Sequence, residues 1–154
     1  VDARILASDI STRVLAKARA GVYPVASVGS VAEPLRRRYF SEDGVGATRM
    51  YTVRPTLREL LIFRRMNLAS PPFKLAGSLD AVFCRNVMIY FDRDVRQRLI
   101  SEFERLLKPG GYLVIGHTET LTELRTGVRT LQPSVYRKPG GLPDLQLRPA
   151  RRRS

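Results

Sequence analysis

The sequence predicts an α/β protein with a mostly parallel sheet. Three observations point there: short apolar runs that end on polar residues, an amphipathic helical pattern after two of them, and no apolar stretch of about 18 residues that would suit a membrane span. A chain of 154 residues, 44% of them hydrophobic, fits one domain of ordinary size with a real core.

The first element is the apolar run Ile5–Asp9, closed by a carboxylate. Ser11 is placed to cap a helix carrying Val14, Leu15 and Ala18, and Gly21 stops it. Residues 22–53 lose this regularity. Pro24, Gly29, Pro34, the basic run Arg36-Arg37-Arg38 and the turn-rich residues 41–46 suggest an insertion with a hairpin. Residues 60–66 predict a second strand, ending at Asn67-Leu68, and Leu79–Cys84 a third, ending at Arg85-Asn86.

Asp92 and Asp94 precede a strong amphipathic helix with Val95, Leu99, Phe103, Leu106 and Leu107 on one face, stopped at Pro109-Gly110-Gly111. A buried strand over residues 112–116 follows. After His117-Thr118-Glu119-Thr120 the pattern predicts a short helix, then an antiparallel pair over residues 128–131 and 134–137. Residues 139–154 shift to Pro, Gly and Arg and read as a disordered basic tail.

Net charge is +13, with 23 of the 27 basic residues arginine. That balance raises nucleic acid or an acidic partner, but no binding motif accompanies it, and nucleic acid ranks below the readings given next. Cys84 is the only cysteine, which excludes a disulfide framework and suits a reducing cytoplasm. With one histidine and one cysteine, no metal site is expected.

In a parallel sheet covered by helices, ligands bind beyond the carboxyl ends of the strands. Three strands here end in polar groups: Asp9, Asn67 and Arg85-Asn86. A carboxylate at such a position suits both hydroxyls of a ribose, because it only accepts hydrogen bonds. Asp9 is equally placed to be a turn or capping residue, and Asn67 a turn residue.

The segment Phe83-Cys84-Arg85-Asn86-Val87-Met88-Ile89-Tyr90-Phe91 resembles the fourth-strand motif of CheR-type chemotaxis-receptor methyltransferases. The likeness continues through Leu107-Lys108-Pro109-Gly110-Gly111 and Gly116-His117-Thr118-Glu119, where the family usually has serine at Thr118. Ala7-Ser8-Asp9-Ile10, Gly21-Val22-Tyr23, Arg38-Tyr39-Phe40 and Asn67-Leu68 follow the family's order, so the resemblance covers about residues 3 to 137.

The resemblance implies a Rossmann-like, class I methyltransferase sheet over residues 1–138, with a small β-subdomain inserted at about residues 39–63. It implies S-adenosylmethionine as cofactor, S-adenosylhomocysteine as product, and the glutamate side chains of a chemoreceptor's cytoplasmic domain as substrate, with the β-subdomain a site for the receptor's tail peptide. Asp9 matches the ribose ligand, and Asn67 and Leu68 the residues around adenine. Arg85 and Tyr90 match the methyl-transfer centre, with Arg85 and Asn86 also on the cofactor. Cys84, Val87, Met88, Ile89 and Phe91 read as packing, and Glu119 as a residue that caps or orients its loop.

The family's first strand, its glycine-rich turn and an N-terminal helical domain have no counterpart in this sequence. The expectation is an incomplete sheet, split between the strands ending at Asp9 and Arg85, with weak or no activity in this chain alone. A non-catalytic module that holds a receptor tail, or a methyltransferase acting on another substrate, are the alternatives.

Overall fold

A computed structural model describes residues 3–75 and 77–140. The chain divides into two compact units, Val1–Asn67 and Leu68–Ser154.

The first unit begins with β1 (Ile5–Asp9) and α1 (Thr12–Ala20). Ser11 caps α1 by accepting the Val14 N–H on its hydroxyl at 3.3 Å. Gly21 closes the helix in the left-handed region at φ 64°, and its N–H reaches the Lys17 carbonyl. Then come β2 (Val22–Pro24), α2 (Val25–Val28), α3 (Glu33–Tyr39), β3 (Phe40–Asp43), β4 (Met50–Val53), α4 (Pro55–Arg58) and β5 (Leu61–Arg65).

β1 and β5 form a parallel pair in which Asp9 lies opposite Arg65. β2, β4 and β3 form a separate antiparallel sheet in that order. This small sheet occupies Val22 to Val53, whereas the expected subdomain ran over residues 39–63. Leu61, Ile62 and Phe63 belong instead to β5, where they pair with Ile5, Leu6 and Ala7.

The basic run Arg36-Arg37-Arg38, expected in irregular chain, lies on α3. Pro34 occupies the first turn, where its missing N–H costs nothing, and Glu33 pairs with Arg37 one turn on.

The second unit holds β6 (Leu79–Cys84), α5 (Arg93–Leu106), β7 (Leu107–Ile115), β8 (Arg129–Gln132) and β9 (Val135–Arg137). The strands form one sheet in the order β6-β7-β9-β8, parallel between β6 and β7 and antiparallel for the rest. Asp92 caps α5, its Oδ1 accepting the Val95 N–H at 2.8 Å. Leu99, Ile100, Phe103 and Leu106 are buried on one side of α5, and Leu107, Leu113 and Ile115 of β7 are also buried.

The ammonium of Lys138 donates to the carbonyls of Glu104 and Leu107 at 2.6 and 2.8 Å, satisfying acceptors where α5 gives way to β7. β7 therefore starts before Pro109-Gly110-Gly111 and runs through it. Glu102, buried on α5, accepts the Phe73 N–H at 2.7 Å and two bonds from Arg105. The Arg105 guanidinium, with help from the Phe73 amide and against burial, holds the Glu102 carboxyl below the usual carboxylate range.

The helix expected after Thr120 does not form. The Thr120 hydroxyl accepts the Thr122 N–H at 3.2 Å, a local bond that competes with helix, and Leu121 and Leu124 are buried from a turn. Among the described residues β1 pairs on one side only, with β5, and β6 on one side only, with β7. Among the described residues no helix is long and apolar enough to cross a membrane. Apart from Pro139 and Gly140, the expected tail lies outside the described residues.

Candidate functional site

Asp9 is half-buried at the carboxyl end of β1. Its Oδ1 accepts the Ser11 N–H at 2.7 Å, so the turn role is real. Its Oδ2 makes no hydrogen bond among the described residues, leaving one acceptor for a ligand. Asn67 follows β5, the parallel neighbour of β1, two residues beyond the Asp9–Arg65 pair. The first unit thus carries both of its predicted residues at the carboxyl ends of neighbouring strands. Asp9 fits a ribose in chemistry, as an acceptor-only group with one uncommitted oxygen.

In the second unit Leu68 is half-buried in a turn ahead of the cis peptide between Pro71 and Pro72. Arg85, Asn86 and Tyr90 share the loop that leaves β6. The Arg85 guanidinium is exposed and makes no hydrogen bond or ion pair among the described residues. Tyr90 is 80% exposed, on a 3-10 turn spanning Met88–Tyr90, whereas Met88 is 2% exposed and anchors that turn from beneath. Ile89, expected to pack, is 53% exposed. The tight 3-10 turn can bury one of its three side chains and buries Met88.

Glu119 holds this loop in place. Its Oε2 accepts N–H groups from Asn86 at 3.0 Å and Gly116 at 2.6 Å. Its Oε1 accepts those of Val87 at 3.0 Å and Met88 at 2.8 Å. Asn86 sits at φ 58°, a conformation that asparagine tolerates better than most residues. Cys84, ending β6, is buried, and its thiol is pushed up to about 12, first by burial and then by the nearby Glu119 carboxylate. A thiol so placed packs and does not react.

The family model described as CheR methyltransferase, SAM binding domain, matches residues 1–136. The chain belongs to this family.

Among its relatives, chemotaxis protein methyltransferase 2 of Pseudomonas aeruginosa is 42% identical over 134 residues, covering 86% of this chain and 48% of the relative. The chemotaxis protein methyltransferase of Klebsiella aerogenes is 39% identical over 133 residues, covering 86% of this chain and 46% of its own length. That of Escherichia coli is 36% identical over the same span and coverage. The chain spans about half the length of the curated relatives it matches. Membership in the CheR SAM-binding family makes S-adenosylmethionine the cofactor that its residues are to be read against.

Sequence reasoning gave Glu119 a local capping role and missed its reach to residues 86–88. The available signal was a carboxylate just past a buried strand with no nearby basic residue in sequence. Gly116 was also missed as a site residue. An added Cβ there would lie 2.4 Å from Asn86 Oδ1 and 2.7 Å from Glu119 Oε2.

Proposed function

We propose that this chain carries the residues with which a chemotaxis-receptor methyltransferase transfers a methyl group from S-adenosylmethionine to a glutamate side chain of a chemoreceptor's cytoplasmic domain. The observation that supports it most is the loop after β6, which presents an exposed Arg85, unpaired among the described residues, and an exposed Tyr90 from a backbone fixed by Glu119.

The acceptor needs no general base. A glutamate carboxyl has a reference pKa of about 4.3 and is a carboxylate at neutral pH. S-Adenosylmethionine supplies, when bound, a methyl group on a sulfonium. Alignment is then the protein's main contribution. Arg85 orients the acceptor carboxylate through two parallel hydrogen bonds, which a guanidinium makes better than an ammonium. The Tyr90 hydroxyl donates a further bond at the same rim. Asp9 accepts from the ribose hydroxyls through Oδ2, Asn67 and Leu68 contact adenine, and Asn86 and Arg85 complete the cofactor contacts.

The test is transfer of labelled methyl from S-adenosylmethionine to a chemoreceptor cytoplasmic fragment by the intact polypeptide that contains these residues. Base-labile label, lost when the receptor's glutamates are replaced by alanine, is expected. Label stable to base, or transfer to nucleic acid or a small molecule only, contradicts the proposal.

The single-sided pairing of β1 and of β6 supports the finer fold reading, a Rossmann-like sheet in which each strand takes a further neighbour. On that reading the 154 residues alone bind S-adenosylmethionine weakly, and micromolar affinity by calorimetry on this chain overturns it.

A second reading rests on the small antiparallel sheet. α3, β3 and β4 enclose a cleft of about 400 Å³ lined by Arg36, Arg37, Arg49, Arg54, Phe40 and Tyr51, among others. Arg37 pairs with Glu33, Arg49 with Glu42, and the Arg36 guanidinium lies 5.7 Å from the Tyr51 ring centroid. Aromatic rings beside guanidinium groups suit a peptide ending in an apolar residue and a free carboxylate, which supports the receptor's tail as occupant. Binding of a receptor tail peptide is expected to weaken at least tenfold on C-terminal amidation. Equal binding of both forms sinks this reading and leaves the methyl-transfer proposal standing.

A further inference from the structure

Glu119 is a buried carboxylate, 9% exposed, with no cationic partner among the described residues. Four backbone N–H groups solvate it, at 2.6 to 3.0 Å. Three belong to the consecutive residues Asn86, Val87 and Met88, whose amides converge as an anion-binding nest. Such nests ordinarily receive an outside anion. Here the anion is the protein's own side chain, and the nest lies between Arg85 and Tyr90.

We propose that Glu119 is a positioning residue for methyl transfer, its carboxylate fixing the backbone of residues 86–88 so that Arg85 and Tyr90 project at set angles from either end. The inference rests on the reading of Arg85 and Tyr90 given above, but the clamp is measurable apart from it. The fourth donor, Gly116, ties the clamp to the end of β7. The β6 loop is therefore held at the height of the sheet edge from two neighbouring parallel strands.

Glutamine is the informative substitution. It keeps the size of Glu119 but turns one oxygen into an NH2 donor, so whichever way the amide sits, two of the four N–H groups face a donor. The intact polypeptide, wild type and Glu119→Gln, is to be compared by amide hydrogen exchange and by methyl-transfer kinetics on a receptor fragment. The wild type is expected to protect the amides of Asn86, Val87, Met88 and Gly116. Glu119→Gln is expected to speed exchange there at least tenfold, leave Leu99 and Ile100 of α5 protected, and lower kcat at least tenfold while folded at the assay temperature. Placed on Arg85→Ala, it is expected to add less than twofold, because two residues acting through one geometry are non-additive.

A folded Glu119→Gln with wild-type kcat, or a full additional loss on Arg85→Ala, overturns the proposal. Should the variant fail to fold, rapid exchange of the four amides in the wild type still overturns it and protection supports it. If Arg85→Ala keeps the wild-type rate while the four amides are protected and respond to Glu119→Gln, the failure lies in the role given to Arg85, not in the clamp.

Discussion

Asn86 and Glu119 lie 33 residues apart and are joined by a hydrogen bond from the Asn86 N–H to Glu119 Oε2 at 3.0 Å. The bond ties the loop after β6 to the turn after β7, the two strands that run parallel in the second unit. Through it, a sequence motif becomes a fixed surface.

The contact leaves no room at Gly116. A Cβ there would sit 2.4 Å from Asn86 Oδ1, 2.7 Å from Glu119 Oε2 and 2.9 Å from the Asn86 amide nitrogen, all inside contact distance. Gly116→Ala is expected to cost about 1–3 kcal/mol, the usual range for overpacking a tight site. Denaturant unfolding monitored by circular dichroism checks it. A change below about 0.5 kcal/mol would mean that the turn yields freely.

Cys84 gives a pH dependence with a definite sign. Its thiol is pushed up to about 12 in the fold from an ordinary value of 9.0. A raised pKa favours the protonated, folded form. The contribution is complete below pH 9.0 and is lost as pH rises toward about 12, because the unfolded chain ionises first. Unfolding free energy is expected to fall between pH 8 and pH 10.5 less steeply in Cys84→Ala than in the wild type. The native thiol should also resist iodoacetamide at pH 8, where about one molecule in ten thousand carries a thiolate. Rapid native-state alkylation would show that Cys84 is not buried as described.

Much of this was legible beforehand, and unevenly. The strands β1, β5 and β6 could be read because each is a local apolar run followed by polar residues, although β5 ends at Arg65, two residues before Asn67. The caps at Ser11 and Asp92 are local chemistry as well. Residues 22–53 were legible in part: the expected hairpin forms as β3 and β4, which are close in sequence, whereas β2 is defined by pairing with β4, a partner distant in sequence. The helix expected after Thr120 failed for a local reason, the Thr120 hydroxyl bond to the Thr122 amide. The clamp on the loop could not be read at all: it requires knowing that β6 and β7 are neighbours, which brings Glu119 to residues 86–88.

Asp9 carries the cofactor reading in the first unit. Because its Oδ1 is engaged by Ser11, the ribose role falls to Oδ2. In the intact polypeptide Asp9→Asn is expected to weaken S-adenosylhomocysteine binding about 10- to 100-fold, the range for losing hydrogen bonds to a charged acceptor. Calorimetric titration measures it. Affinity within twofold of wild type would reduce Asp9 to a turn residue.

The role of Arg85 is the central claim, and single-turnover methyl transfer to a receptor fragment tests it most directly, comparing wild type with Arg85→Ala in the intact polypeptide saturated with S-adenosylmethionine. The rate is expected to fall at least 100-fold, about 2.7 kcal/mol of lost transition-state stabilisation. An unchanged rate from the folded, cofactor-saturated variant would contradict the account.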